Sequence, residues 1–129
     1  MAGLRPNSPR PTAITLHEAT QRLERVFDDG RRWERPAELM RVHSPSAEVQ
    51  GHSPEQAVLQ VGKRGVRVTA LEAVGHYALR PVFSDGHDSG LFTWDYLYHL
   101  GQQQERLWAD YEARLAAVGA SRDPQGEAQ

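Results

Sequence analysis

A chain of 129 residues, 39% of them hydrophobic, has the length of one domain with one modest core. Its formal charge of -2 and pI near 6.3 leave no general field to draw nucleic acid or an anionic membrane, although all 15 basic residues except Lys63 are arginine. The lack of cysteine excludes disulfides, thiolate zinc sites, iron–sulphur ligation and thiol catalysis by this chain.

The opening stretch MAGLRPNSPRP has no apolar run of the signal-peptide kind, so residues 1–11 are expected to be a disordered tail. No segment approaches the roughly 18 to 20 consecutive apolar residues that span a bilayer, which makes the cytoplasm the expected compartment. Ile14 and Leu16 alternate with polar neighbours, and Leu23, Arg25 and Phe27 repeat the alternation up to Asp29-Gly30, a strong hairpin signal. Arg31 to Glu34, centred on Trp33, supplies the returning strand. Pro36 suits the first turn of a short helix over Ala37 to Arg41, and the prolines, serines and glycine of 43–54 predict a loop.

Val58 to Val61 reads as a strand and Gly62-Lys63-Arg64-Gly65 as a turn. Strands then follow through Val66, Val68, Leu71 and Val74, and through Tyr77 to Phe83, ending at a second Asp-Gly, Asp85-Gly86. Pro81 cannot donate to a ladder, so its strand is expected at an edge or with that position turned outward. The fragment Val-Phe-x-Asp-Gly occurs at Val26 to Gly30 and again at Val82 to Gly86, a match short enough for shared hairpin chemistry to explain. From Trp94 the period becomes helical, with Leu97, Leu100, Leu107, Tyr111, Leu115 and Val118 on one stripe and a kink at Gly101. The expected fold is α+β: an antiparallel β-sheet built from hairpins, with a C-terminal helical segment packed on one face. Residues 12–118 form one domain in this reading, and 119–129 a second disordered tail.

The stretch SDGHDSGLFTWDYLYHL packs Asp85, His87, Asp88 and Ser89 between two glycines. As structure, Asp85-Gly86 makes the turn, Thr93 caps the helix beginning at Trp94, and Asp95 favours that helix's positive end. As a metal site, His87 would be joined by His43, His52 or Glu48, although nothing in the spacing requires it. Oxygenase iron chemistry needs a carboxylate two positions after a histidine, and none of His17, His43, His52, His76, His87 and His99 has one. There is no Gly-x-Ser-x-Gly elbow, His87-Asp88-Ser89 are too close in sequence for a triad, and GKRG is too short for a phosphate loop. Arg22, Arg25, Arg31, Arg32 and Arg35 surround Trp33, but Glu24, Asp28, Asp29 and Glu34 interrupt them, favouring a solvated strand face or a protein contact over nucleic acid.

Taken together, AVGHYALRPVFSDGHDSGLFTWDYL at 73–97 and ELMRVHSPSAEVQGH at 38–52 resemble the gamma-butyrobetaine hydroxylase-like N-terminal domain over about residues 12–115. Domains of that family occur alone in short bacterial proteins, at the N-terminus of gamma-butyrobetaine and trimethyllysine oxygenases, and attached to iron–sulphur carrier ATPases. In the oxygenases the resemblance implies a zinc-bearing docking module whose ligands are a Cys-Pro-Cys-x-x-Cys run and a hairpin histidine. Here Ser44, Pro45, Ser46 and Val49 stand in the cysteine run, and His87 alone matches.

The expectation is therefore a non-catalytic binding or adaptor module linked to iron–sulphur or ferrous-oxygenase metabolism, with a protein partner and with neither nucleic acid nor membrane. Its surface would combine Arg41, His43, His52, Arg80, His87 and Asp88, where the 43–52 loop meets the 85–90 hairpin tip. The alternative is a small iron- or zinc-binding protein using His87 with His43 or His52. No cofactor is expected under the first reading, and zinc or iron under the second.

Overall fold

The computed structural model describes residues 9–51 and 57–123. The fold is α+β as expected, hairpin-built antiparallel strands with C-terminal helices, and the strands divide into two three-stranded sheets. The first contains β1 (Pro11–His17), β2 (Arg22–Phe27) and β3 (Arg32–Pro36) in that order. Next come two short helices, α1 (Ala37–Val42) and α2 (Ala47–Gln50). The second sheet is β4 (Val68–Val74), β5 (Ala78–Phe83) and the two-residue β6 (Phe92–Thr93), and it leads directly into α3 (Trp94–Gln102) and α4 (Gln104–Ala117).

Alternation in β2 buries Leu23, Arg25 and Phe27, while the second sheet contributes Val68, Leu79, Phe83 and Phe92 to the same core with Leu97 and Leu100 of α3. A second, smaller cluster joins Val42 to Tyr111 and Leu115 of α4. Gln21 connects the two sheets. Its backbone takes φ 54°, its carbonyl accepts from Ala37 N at 2.8 Å, and its side-chain oxygen accepts from Val68 N at 2.8 Å. Thr93 caps α3 by accepting from Tyr96 N at 3.2 Å, as its position before Trp94 suggested.

Several local expectations change. The 43–54 loop contains α2, because the Ser46 hydroxyl accepts from Glu48 N at 3.1 Å and nucleates one helical turn. Val58 to Val61 is irregular with both valines exposed, since no neighbouring strand pairs with it among the described residues. Pro81 lies on the central strand of its sheet, yet the β5–β6 ladder ends at Leu79 and Phe92, so the proline sits beyond it, opposite Leu71. The helical break falls at Gln103 instead of Gly101. Gly101 is needed for a different reason, because any side chain there would overlap the Trp33 indole. Val118 lies past the end of α4 and is exposed.

Arginine placement also departs from a solvated face. Arg25 is fully buried, and Trp33 packs edge-on against both Phe27 and Tyr98, so this indole is not a free contact residue. Within the segment read as a C-terminal tail, Ser121 and Arg122 accept backbone bonds from Gly62 and Arg64 at 3.0 and 2.9 Å. No described helix is long and apolar enough to cross a membrane.

The repeated Val-Phe-x-Asp-Gly fragment belongs to a larger structural correspondence. In each hairpin the first strand is bulged, between Pro11 and Ala13 and again between Val68 and Ala70. A threonine beside each bulge, Thr12 or Thr69, donates to the carbonyl of Val26 or Val82. Asp28 N bonds Arg10 O at 2.8 Å, just as Ser84 N bonds Arg67 O at 2.8 Å. The two sheets thus start with the same bulged hairpin, Arg-x-Thr-Ala paired with Val-Phe-x-Asp-Gly.

Candidate functional site

The turn after β5 is built by Asp85, whose Oδ1 accepts from His87 N at 3.2 Å while Gly86 takes φ 90°. That turn directs the His87 ring inward, where its side chain is 3% exposed, beside Phe83. His87 Nδ1 lies 3.0 Å from Glu48 Oε1, and Nε2 lies 2.8 Å from Ser44 Oγ. A carboxylate has no proton to give, so neutral His87 donates from Nδ1 to Glu48 and accepts at Nε2 from the Ser44 hydroxyl. Ser44 Oγ in turn accepts from Ser46 N at 3.3 Å, and Ser46 Oγ reaches Ser89 Oγ at 2.7 Å. Burial, and then the nearby Arg41 charge, hold the His87 pKa below its ordinary 6.5, outweighing Glu48 and Asp85.

Arg41 extends the same cluster. Its Nε donates to Asp85 Oδ2 at 2.9 Å, and Lys63 Nζ reaches that oxygen at 2.7 Å. Burial works against ionisation of Asp85, but Lys63, the His87 N–H and Arg41 together keep its carboxyl below the usual range. Arg80 braces the far side of the tip by donating to Asp88 O at 3.0 Å while also pairing with Glu72 and the Asp88 carboxylate.

Of the residues expected to meet, Arg41, His87, Arg80 and Asp88 all lie on or under the second tip. His43 has other partners. Its Nδ1 donates to Leu39 O at 3.1 Å, its ring meets Tyr111 edge-on, and it lines a small cleft of about 70 Å³ with Val49, Gln60 and Arg114. His52 lies outside the described residues. Sequence reasoning offered Glu48 only as a metal ligand and passed over Ser44, Lys63 and Ser89 as partners. The alternation of serines in His-Ser-Pro-Ser, followed by a glutamate, was the available signal.

Ser44, His87 and Glu48 stand in the order hydroxyl, imidazole, carboxylate, which is the arrangement of a serine-hydrolase triad. The chemistry is blocked by packing. Ser44 is 0% exposed, and Gly90 lies so close over its hydroxyl that a Cβ there would overlap it and crowd Pro45. No acyl group has room to form on this oxygen.

Zinc of the kind implied by the resemblance does not fit these residues either. Val49 offers no donor atom, the Ser44 and Ser46 hydroxyls are neutral and already bonded, and both nitrogens of His87 are engaged. Elsewhere among the described residues, His17, Glu24 and Glu34 place one ligand atom each within 4.8 Å of one another across the first sheet. Arg32 already pairs with Glu24, and Arg22 with Glu34, so this group is a neutralised charge network.

Comparison with known proteins agrees with the geometry. The family model described as gamma-butyrobetaine hydroxylase-like, N-terminal, matches residues 14–98. No curated protein matches the sequence. Two solution NMR structures resemble the chain throughout: one has 51% identity, a TM-score of 0.80 and coverage of 95% of this chain and 96% of its own. The other has 45% identity, a TM-score of 0.77 and coverage of 95% and 92%. A crystal structure of a DUF971-family protein of unknown function from Acidithiobacillus ferrooxidans has 34% identity and a TM-score of 0.60, covering 71% of this chain and 92% of its own. The chain therefore belongs to the gamma-butyrobetaine hydroxylase-like N-terminal domain family.

Proposed function

We propose that this domain is a non-catalytic binding or adaptor module with a protein partner, acting in the iron–sulphur or ferrous-oxygenase setting suggested by its family. The supporting observation is the sealed Ser44–His87–Glu48 cluster, whose hydroxyl is fully buried and whose imidazole has both nitrogens occupied. With neither the Ser44 hydroxyl nor the His87 imidazole exposed, the cluster's role is to clamp the 43–51 segment onto the second hairpin tip. The clamp leaves an acidic rim in solvent, with Glu48 69% and Asp88 54% exposed and the exposed Leu91 three positions after Asp88. A rim of this composition suits a basic partner surface with an apolar centre.

Charge reversal of the rim tests the reading without opening the core. The wild-type protein and the Glu48→Lys, Asp88→Lys variant are immobilised and exposed to extract from the source cells, with folding checked by amide spectra. The expected result is a protein retained by the wild type, lost by the variant, and shown with purified components to contact the 85–91 segment. Equal retention by both forms, or contacts mapped elsewhere, would overturn the assignment of this face.

A further inference from the structure

A second candidate site lies where the first sheet meets α1 and α4. Arg22, Arg35, Pro36, Leu39, Trp108 and Arg122 line a cleft of about 160 Å³ there. Two of its three guanidinium groups already have close carboxylates. Arg22 Nε donates to Glu34 at 3.1 Å, and Arg122 donates to both oxygens of Glu38 at 2.8 and 2.7 Å while lying 4.8 Å over the Trp108 ring. Arg35 is different. Its nearest carboxylate is Glu105 at 3.8 Å, a side chain 89% exposed, and its buried Nε has no partner among the described residues.

Sheet register adds a further positive charge behind Arg35. Leu23 pairs with Arg35 and Arg25 with Trp33, which puts Arg25 and Arg35 on one face of the sheet. Arg25 is fully buried, bonds only Leu23 O and Gln104 Oε1, and also has an unpartnered Nε among the described residues. Burial foremost, and then the Arg35 charge, lower its pKa to about 10. Arginine forks match oxyanions geometrically, and an aromatic wall beside them accommodates the body of a small molecule.

We propose that this cleft binds a small oxyanion, a phosphate or carboxylate group, with Arg35 as the primary contact and the apolar carrier lying along the part of Trp108 that lines the cleft and that Arg122 leaves uncovered. The site is separate from the acidic rim around His87 and has the opposite charge.

Titration of the full-length protein with sodium phosphate and, separately, sodium benzoate at constant ionic strength tests the assignment. The readouts are the Arg35 Nε–H and Trp108 indole N–H resonances, with the Trp33 and Trp94 indoles as internal references. The expected result is a saturable, one-site shift of both cleft signals, and the probe that binds more tightly identifies the oxyanion. Arg35→Gln should weaken binding at least tenfold, Arg35→Lys should weaken it less, and Arg31→Gln on the exposed hairpin tip should leave it unchanged. Arg35→Lys retains the charge, so it supplies the comparison if the glutamine variant fails to fold. Shifts no larger than those from equimolar chloride, or wild-type affinity in a folded Arg35 variant, would overturn the proposal.

Discussion

At the first hairpin tip Gly30 takes φ 89° and bonds back to Phe27 O at 3.0 Å; at the second, Gly86 takes φ 90° and bonds back to Phe83 O at 3.0 Å. In each turn an aspartate, Asp29 or Asp85, accepts from the backbone N–H two residues on. The residue receiving that bond then differs in kind. Arg31 extends into solvent, whereas His87 turns inward against Ser44 and Glu48. The remaining oxygen of Asp29 accepts from Tyr98 at 2.5 Å, while that of Asp85 accepts from Arg41 and Lys63. One backbone device therefore serves two purposes, and the side chain after the glycine decides whether the tip ends the sheet or clamps another segment to it.

The strongest way to sharpen this contrast is to complete the thiolate run that the resemblance implies. Ser44 and His87 already touch, Ser46 bonds into the same cluster, and Val49 is buried on the adjoining turn of α2. Ser44→Cys, Ser46→Cys and Val49→Cys in one chain should create a three-cysteine, one-histidine zinc site. At free zinc a thousandfold above its dissociation constant, that variant should gain about 4 kcal/mol of stability. Calorimetry that finds no stoichiometric zinc in the triple variant would show that position 49 of α2 does not face the Ser44, Ser46 and His87 cluster. The same cysteines grouped around the first tip have no histidine to join, because Arg31 occupies its place.

Removing the ring itself should separate the two tips next most clearly. His87→Ala leaves a cavity, a buried Ser44 hydroxyl without its acceptor and Glu48 without its donor, a combined cost of about 3 kcal/mol. Arg31→Ala, at the matching position, removes an exposed side chain 3.8 Å from Asp29 and should change stability by no more than about 0.5 kcal/mol. Urea unfolding of both variants checks the difference. Similar midpoints would mean that the clamp contributes nothing beyond an ordinary turn.

Local chemistry made the hairpins readable. Asp-Gly dipeptides located both tips, alternation through Leu23, Arg25 and Phe27 located a buried face, and Thr93 before Trp94 located a helix start. Contacts between distant segments were not readable. Ser44 meets His87 across 43 positions of chain, and no spacing rule links them. Charge predicts exposure for Arg25, yet its strand position on the Leu23–Phe27 face overrides that preference. The duplicated hairpin is hard to read for a related reason: its matching bulges and threonine-to-carbonyl bonds depend on strand pairing, and a five-residue fragment shows little of them.

Acid should weaken one tip before the other, the smallest and most specific of these effects. Burial and Arg41 hold His87 below the ordinary 6.5, and burial followed by Arg114 and His99 does the same for His43, against the bond to Leu39. The unfolded chain therefore takes up protons below pH 6.5 that the folded chain resists, so stability is fully present above that pH and declines as pH falls toward the folded-state values. Each histidine contributes at most about 1.4 kcal/mol per pH unit in that window. The first tip has no histidine at the matching position, so it is unaffected until its aspartate, Asp29, held low mainly by the Tyr98 hydroxyl, is protonated at lower pH. Unfolding midpoints measured from pH 7.5 to 5.5 should fall in the wild type and fall less steeply in His87→Gln. An equal slope in the two proteins would assign the acid sensitivity to His43 and leave the second tip as insensitive as the first.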